Sequence, residues 1–397
     1  MAEPSRIVVV GASLAGLSAV RSLRAEGFTG SIAVIGDEVH PPYDRPPLSK
    51  GYLASSDTHP DLGSAELEDV EWILGKGVVG LDSAARVLRL SDGSAEHYDG
   101  LVAATGTTPR VLPDGDKAGV HTVRTLDDSV ALRAAMNSGR PRVVLVGGGF
   151  VGAEVASACV DRGLPVTIVE RADVPFRRVL GPTVGAELGR LYVDRGVDLR
   201  LGRSVRRLLG DDRVTGVELD DGSVVDADIV VQSMGVTPAT SWLADSGLDI
   251  DDGVVCDETL LAAPGIVAAG DVARWPNRRL GEFRRVEHWE HAITSGEHAA
   301  RTLLGRAEPY DIVPWVWSDQ FGFKLQFVGS SISHDEVVLD STLATDGKML
   351  ALYRRGDRLV AACGIRRNKI VLGLRERIGL PGSWAAALEQ IAGRLAA

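Results

Sequence analysis

The chain has 397 residues, 45% hydrophobic and 24% charged, with 46 glycines and a formal net charge of −11. That length exceeds one ordinary hydrophobic core and predicts two or three domains. The acidic balance argues against nucleic acid as the main partner, and no window is apolar for long enough to span a bilayer.

The start, MAEPSRIVVVG, has no basic region followed by an apolar signal core, so a cytoplasmic location is expected. RIVVV, residues 6–10, reads as a strand buried on both faces of a parallel sheet. LAGLSAVRSLRAEG follows with helical spacing and a glycine stop, and SIAVIGDE reads as the next strand, completing a βαβ unit. In the turn, Gly11 permits the tight bend and Gly16 lets helix and strand approach, with Ser13, Leu14 and Ala15 between them. Ser13 stands where a middle glycine is usual. Asp37 and Glu38 lie about 20 residues on, where an acid accepts a ribose hydroxyl. GSAELEDVEWILG, residues 63–75, reads as a short loop. DGLVAATGTTPR, residues 99–110, is a buried strand running through Ala104 into a turn at Thr105 and Gly106.

A second unit follows. The strand RVVLV leads into Gly147, Gly149 and Gly152, a full G-x-G-x-x-G, and then into a helix through GAEVASACVDRG. The next strand, PVTIVE, ends in Glu170, whose carboxylate suits the ribose 2′-hydroxyl of NAD and repels the 2′-phosphate of NADP. Arg171 beside it softens that preference. Much later, PGIVAAGDVAR repeats the 99–110 pattern and ends in Gly270 and Asp271. The first domain is therefore interrupted by the second.

Cys159, Cys256 and Cys363 form no C-x-x-C pair, and each reads as a small buried hydrophobe. Residues 274–285 carry net +4 and residues 354–377 net +6, leaving −21 elsewhere. These stretches read either as a face that steers an acidic macromolecule or as solvated surface.

Taken together, GASLAG, PPYDRPPLSKGYL, LVAATGTTPR, TVRTLDD, VVLVGGGFVGAEVA, VVQSMGVTPAT, IVAAGDVAR, VEHWEHA and PWVWSDQF resemble the glutathione-reductase-type flavoproteins. Within them, the sequence is most similar to NADH-dependent ferredoxin reductases of the putidaredoxin reductase and biphenyl dioxygenase reductase type. The resemblance covers nearly the whole chain. It implies an α/β fold of two Rossmann-like, three-layer nucleotide-binding domains, the second inserted in the first, plus a C-terminal α+β interface domain. The implied boundaries are 1–110 and 238–314 for FAD, 111–237 for NAD, and 315–397 for the interface domain.

The same resemblance implies that FAD is held, without a covalent bond, by Gly11, Ser13, Leu14, Ala15, Gly16, Asp37, Glu38, Arg45 and Lys50. Val78, Ala104, Thr105, Gly106, Arg124, Gly270, Asp271 and Trp289 would complete that site. NADH would lie against Gly147, Gly149, Phe150, Val151, Gly152, Glu154, Glu170 and Gly235. Lys50 and Glu154 would pair beside the reactive face of the flavin, where an ammonium favours developing negative charge. Taken singly, Lys50 also reads as a surface lysine and Glu154 as an acid complementing a helix dipole.

The implied activity takes hydride from NADH onto FAD and passes single electrons to a [2Fe–2S] ferredoxin feeding a cytochrome P450 or ring-hydroxylating oxygenase. With no cysteine pair, the thiol exit of disulfide reductases is closed. An acidic ferredoxin would dock near the two arginine-rich stretches and Trp317. Trp315 and Trp317 read equally as alternate residues packed in a strand. Rubredoxin, a quinone, oxygen or monodehydroascorbate remain open as other acceptors. So does a role like that of apoptosis-inducing-factor relatives, in which redox state alters interactions. No metal site is expected, and the protein would be a monomer or homodimer. The segment CGIRRNKIVLGLRERIGLPGSW stands where relatives carry a proline-containing stretch after an asparagine, which leaves the choice of partner open.

Overall fold

Strands that are apolar on both faces are stable only inside a covered sheet, and such strands organise both halves of this protein. The computed structural model describes residues 4–54 and 61–395; the first three residues, on which the reading of the start partly rests, lie outside them. The chain gathers into two compact units. One comprises Met1–Asp44, His59–Thr108 and Thr237–Pro314; the other comprises Arg45–Thr58, Pro109–Val236 and Trp315–Ala397.

In the first unit, Arg6–Val10 pairs in parallel with Ser31–Gly36 on one side and Gly100–Ala103 on the other. Ile266–Ala268 and Val70–Leu74 extend the parallel sheet at either end, and Leu261–Ala263 adds an antiparallel edge. Val70–Leu74 lies within the segment read from sequence as a loop, and that reading is corrected here. Only Val70 of the five residues is buried, as befits an edge strand, so the run lacks the continuous apolar signature of its neighbours.

The helices Leu14–Ala25 and Trp289–Leu303 lie against each other. Gly296 allows this, because a Cβ there would stand 2.4 Å from the carbonyl oxygen of Ala15. Beneath them the core is continuous from Ile7 through Leu101 to the fully buried Trp275.

The second unit has its own parallel sheet, in the order Asp198–Leu201, Val166–Glu170, Val143–Val146, Ile229–Gln232 and Val120–His121. The helix predicted after the second glycine turn runs from Phe150 to Asp161. A five-stranded antiparallel sheet follows from Trp315, in the order Trp315–Gln320, Phe323–Gly329, Arg358–Ile365, Lys348–Arg355 and Glu336–Thr342. The segments expected as separate NAD and interface domains thus fall in one unit, together with Arg45–Thr58. One buried cluster joins Val143, Ala153 and Tyr192 to Phe321, Leu325 and Tyr353, which explains the grouping. Among the described residues, no helix is long and apolar enough to cross a membrane.

Gly296→Ala tests the helix contact. Helix propensity alone favours the change by about 1 kcal/mol. The clash is with a backbone carbonyl that cannot swing aside, and overpacking of this kind costs about 1–3 kcal/mol. A net loss is therefore expected, read as a lower urea midpoint at unchanged slope.

Candidate functional site

Parallel strands bring the residues that follow them to one edge. Val10, Ile35, Ala103 and Ala268 are neighbours in register, so Gly11, Asp37, Ala104 and Gly270 all emerge on the carboxyl side of the first sheet. Gly11 has φ +121°, and a Cβ on it would stand 2.1 Å from the Ala104 carbonyl oxygen. A Cβ on Gly16 would stand 2.0 Å from the Gly11 carbonyl oxygen. Ser13 is the N-cap, and Leu14 and Ala15 open the helix, whose first turn contains no acid. That leaves a helix N-terminus suited to a phosphate.

The remaining first-unit residues surround this edge. Glu38 accepts the Tyr43 hydroxyl, while Asp37 is exposed. Val78 begins the strand Val78–Asp82 and is half-buried. Thr105 donates to the Ala239 carbonyl at 2.8 Å, and Gly106 takes φ +68°. Asp271 accepts the Thr107 hydroxyl at 3.2 Å, and the Gly270 N–H donates to Ser295 at 2.8 Å. Trp289 donates its indole N–H to Asp44 at 2.7 Å.

The second unit repeats the cradle. Gly147 has φ +111° and a Cβ on it would stand 2.3 Å from the Ser233 carbonyl oxygen; on Gly152 it would stand 2.2 Å from the Gly147 carbonyl oxygen. Around Gly149 no atom lies within 4 Å of the same test position, so the backbone there faces open space. Phe150 and Val151 open the helix, and the Phe150 ring packs 5.0 Å from that of Phe176. Glu170 is pinned, its two oxygens accepting the N–H groups of Gly148 at 2.7 Å and Ala172 at 2.8 Å. Gly235 takes φ +89° and its carbonyl accepts the Arg110 N–H at 3.0 Å. Arg45, Lys50 and Arg124, grouped with FAD by resemblance, belong to this unit. The Arg45 guanidinium donates to the Arg124 carbonyl at 2.7 Å.

Lys50 and Glu154 meet. The ammonium lies 3.0 Å from Glu154 Oε1, with the two side chains 17% and 4% exposed. Glu154 is the fifth residue of its helix, past the first turn where a dipole contact operates. Ser49 donates to Glu154 Oε2 at 2.5 Å and Ser318 to Oε1 at 2.6 Å. An open cleft of about 440 Å³ borders the pair, lined also by Asp161, Asp319, Phe321 and Lys324. The sequence reading missed Ser49, Ser318 and Gln320 as site residues, although they stand inside the motifs PLSK and WSDQ that carried the resemblance. Lone serines have no spacing signal to mark them.

All three cysteines are free and buried, and burial pushes the Cys159 and Cys256 thiols up to about 12 and Cys363 higher still. None has the depressed pKa of a reactive thiolate.

The sequence matches the family described as pyridine nucleotide-disulphide oxidoreductase over residues 5–296. The chain belongs to that family. Residues 315–387 match a second, the reductase C-terminal family. Rhodocoxin reductase of Rhodococcus erythropolis is 37% identical over 345 residues, covering 84% of this chain and 80% of that protein. The biphenyl dioxygenase system ferredoxin–NAD(+) reductase component of Paraburkholderia xenovorans (strain LB400) is 38% identical over 363 residues, covering 90% and 88%. The crystal structure of the covalent putidaredoxin reductase–putidaredoxin complex superposes with a TM-score of 0.88 at 31% identity, covering 95% and 94% of the two chains. Pyridine nucleotide-disulphide oxidoreductases use FAD and a nicotinamide nucleotide. The two glycine cradles and their helix N-termini fit such dinucleotides, since any side chain at Gly11 or Gly147 would strike backbone.

A buried histidine in the first unit sets a pH dependence. His291 is 1% exposed, bonded to Tyr310 at 3.1 Å and to the Gly270 carbonyl at 3.2 Å, and stacked 4.8 Å from Trp275. Burial pushes its pKa down to about 4, against a smaller opposing pull from Asp271. The folded state therefore stays neutral where the unfolded chain takes up a proton. Stability is lost as pH falls from the ordinary histidine value towards 4 and levels off below it, by an amount on the order of 2–3 kcal/mol. Urea unfolding at pH 7 and pH 4.5 should show a smaller difference for His291→Gln than for the parent protein.

Proposed function

We propose that this protein is an FAD-dependent NADH:ferredoxin reductase that passes single electrons to a [2Fe–2S] ferredoxin serving a P450 or ring-hydroxylating oxygenase. The observation that carries the reading is the combination of two nucleotide cradles with a buried Lys50–Glu154 pair and no reactive thiol. When bound, FAD accepts hydride as two electrons and releases them one at a time.

The chain's own residues divide the remaining work. In the first unit, the helix start at Leu14 holds pyrophosphate, while Asp37, Thr105, Gly106 and Asp271 line the rest of the FAD site. In the second, the Phe150 helix start receives the NADH pyrophosphate. Glu170, fixed by two backbone N–H groups, offers its remaining lone pairs to the ribose diol and repels a 2′-phosphate. The Lys50 ammonium favours the developing negative charge and Glu154 holds it in place. Arg45 and Arg124 act with the FAD set. On this reading residues 1–110 and 238–314 serve FAD, 111–237 serve NAD and 315–397 serve docking, the last two sharing one compact unit with Arg45–Thr58.

An acidic ferredoxin docks through charge on the C-terminal segment. Within residues 274–285 the arginines are answered locally, Arg274 by Asp251, Arg278 by Asp311 and Glu258, and Arg285 by Asp252 and Glu287. In residues 354–377, Arg354 faces Glu336 at 3.3 Å and Arg358 faces Asp357 at 3.9 Å. The second stretch, with its net charge of +6, is the proposed docking face. Trp317, 5.0 Å from Trp315 and 5.9 Å from the Lys324 ammonium, completes it. A relative named as a ferredoxin–NAD(+) reductase component and a solved putidaredoxin reductase–putidaredoxin complex support this partner, and a cytoplasmic location is part of the same proposal.

The test is direct. The protein reconstituted with FAD should turn yellow and bleach rapidly with NADH under anaerobic conditions. Its reduction of a [2Fe–2S] ferredoxin, followed through cytochrome c, should fall steeply as salt rises, whereas turnover with a small neutral quinone should barely change. A preparation that stays colourless with FAD would defeat the reading. Equal salt responses for the two acceptors would defeat the docking.

A further inference from the structure

The Glu154 carboxylate sits at the end of a chain of donors that all point the same way. Tyr192 is fully buried and donates its hydroxyl to Gln320 Oε1, a carbonyl oxygen that can only accept. Gln320 Nε2 can only donate, and does so to Ser318 Oγ at 3.0 Å. Ser318, itself fully buried, has one proton left to give and gives it to Glu154 Oε1 at 2.6 Å. Ser49 donates to the other oxygen at 2.5 Å, and Lys50 closes the set at 3.0 Å. Burial holds the Tyr192 phenol well above its ordinary pKa, so the first donor keeps its proton.

We propose that Tyr192, Gln320 and Ser318 form a one-way hydrogen-bond relay that positions the Glu154 carboxylate and, through it, the Lys50 ammonium for hydride transfer. The relay ties the carboxylate to three separate elements. Tyr192 stands on the helix Arg177–Asp194, Gln320 and Ser318 on the strand Trp315–Gln320, and Ser49 on the turn Pro46–Ser49. At 4% exposure the carboxylate is oriented chiefly by these donors. Ser318 and Ser49 grip different oxygens, which fixes the plane of the carboxylate, and Lys50 sits 3.0 Å from Oε1 with the Pro46 carbonyl 3.5 Å from its ammonium. The three relay residues are positioning residues. The inference rests on the functional reading of Lys50 and Glu154 given above.

Ser318→Ala is the test, with two readouts. In the apoprotein, acylation of Lys50 by an N-hydroxysuccinimide ester, measured by peptide mass spectrometry against Lys76, should rise several-fold. With FAD bound, the anaerobic flavin-bleaching rate constant should fall about tenfold while the NADH dissociation constant stays within about twofold, the split expected when one hydrogen bond to a charged group is lost. Ser318→Thr, which restores the hydroxyl, should recover both readouts; a merely structural role would not give that rescue. If Ser318→Ala fails to fold, Tyr192→Phe keeps the ring, removes only the first donor and should move both readouts in the same direction. An unchanged Lys50-to-Lys76 ratio with an unchanged bleaching rate in the folded variant overturns the relay. Failure of the unmodified protein to bleach with NADH defeats the functional reading instead, and the labelling ratio then still decides the relay.

Discussion

A carboxylate taken out of water must be met by donors on every side, and the second unit is arranged around that demand at Glu154. Three groups converge there from a strand and a turn far apart in the chain, the lysine ammonium among them. An ion pair buried to this degree gains little stability against an apolar substitute of the same volume. It stands beside an open cleft, where the proposed role of the fixed ammonium is to favour developing negative charge. The same packing explains why Arg45–Thr58 leaves the first unit. Leu53 enters the core of the second, and the Leu48 carbonyl accepts the Ser129 hydroxyl at 2.7 Å.

The two nucleotide cradles obey one rule in both units. A strand ends, the chain turns through a left-handed glycine pressed onto the carbonyl of a neighbouring strand's exit, and a second glycine lets the helix settle over the first. An added Cβ would stand 2.1 and 2.0 Å from the nearest carbonyl oxygen at Gly11 and Gly16, and 2.3 and 2.2 Å at Gly147 and Gly152. At all four positions the obstacle is backbone, which cannot yield as a side chain can. The replacement of the middle glycine by Ser13 leaves this geometry intact, since neither of the two close approaches involves that residue.

Charge behaves differently in sequence and in space. Residues 274–285 look strongly basic when counted along the chain, yet their arginines face carboxylates from segments around positions 251, 258, 287 and 311. Long-range steering depends on the field that remains after such pairing rather than on a count along the chain.

By itself, the sequence determined the repeated strand–turn–helix units, the absence of a C-x-x-C pair and the family. All of these are written in short windows, where glycine placement and apolar periodicity act between near neighbours. Only the tertiary structure showed that Val70–Leu74 is a sheet edge rather than a loop, because its half-exposed residues carry no continuous apolar run. Only it brought Ser49 and Ser318 onto Glu154, across 105 and 164 residues. Contacts of that reach are set by how sheets and helices close on a shared core, and no local pattern along the chain records which distant hydroxyl will arrive.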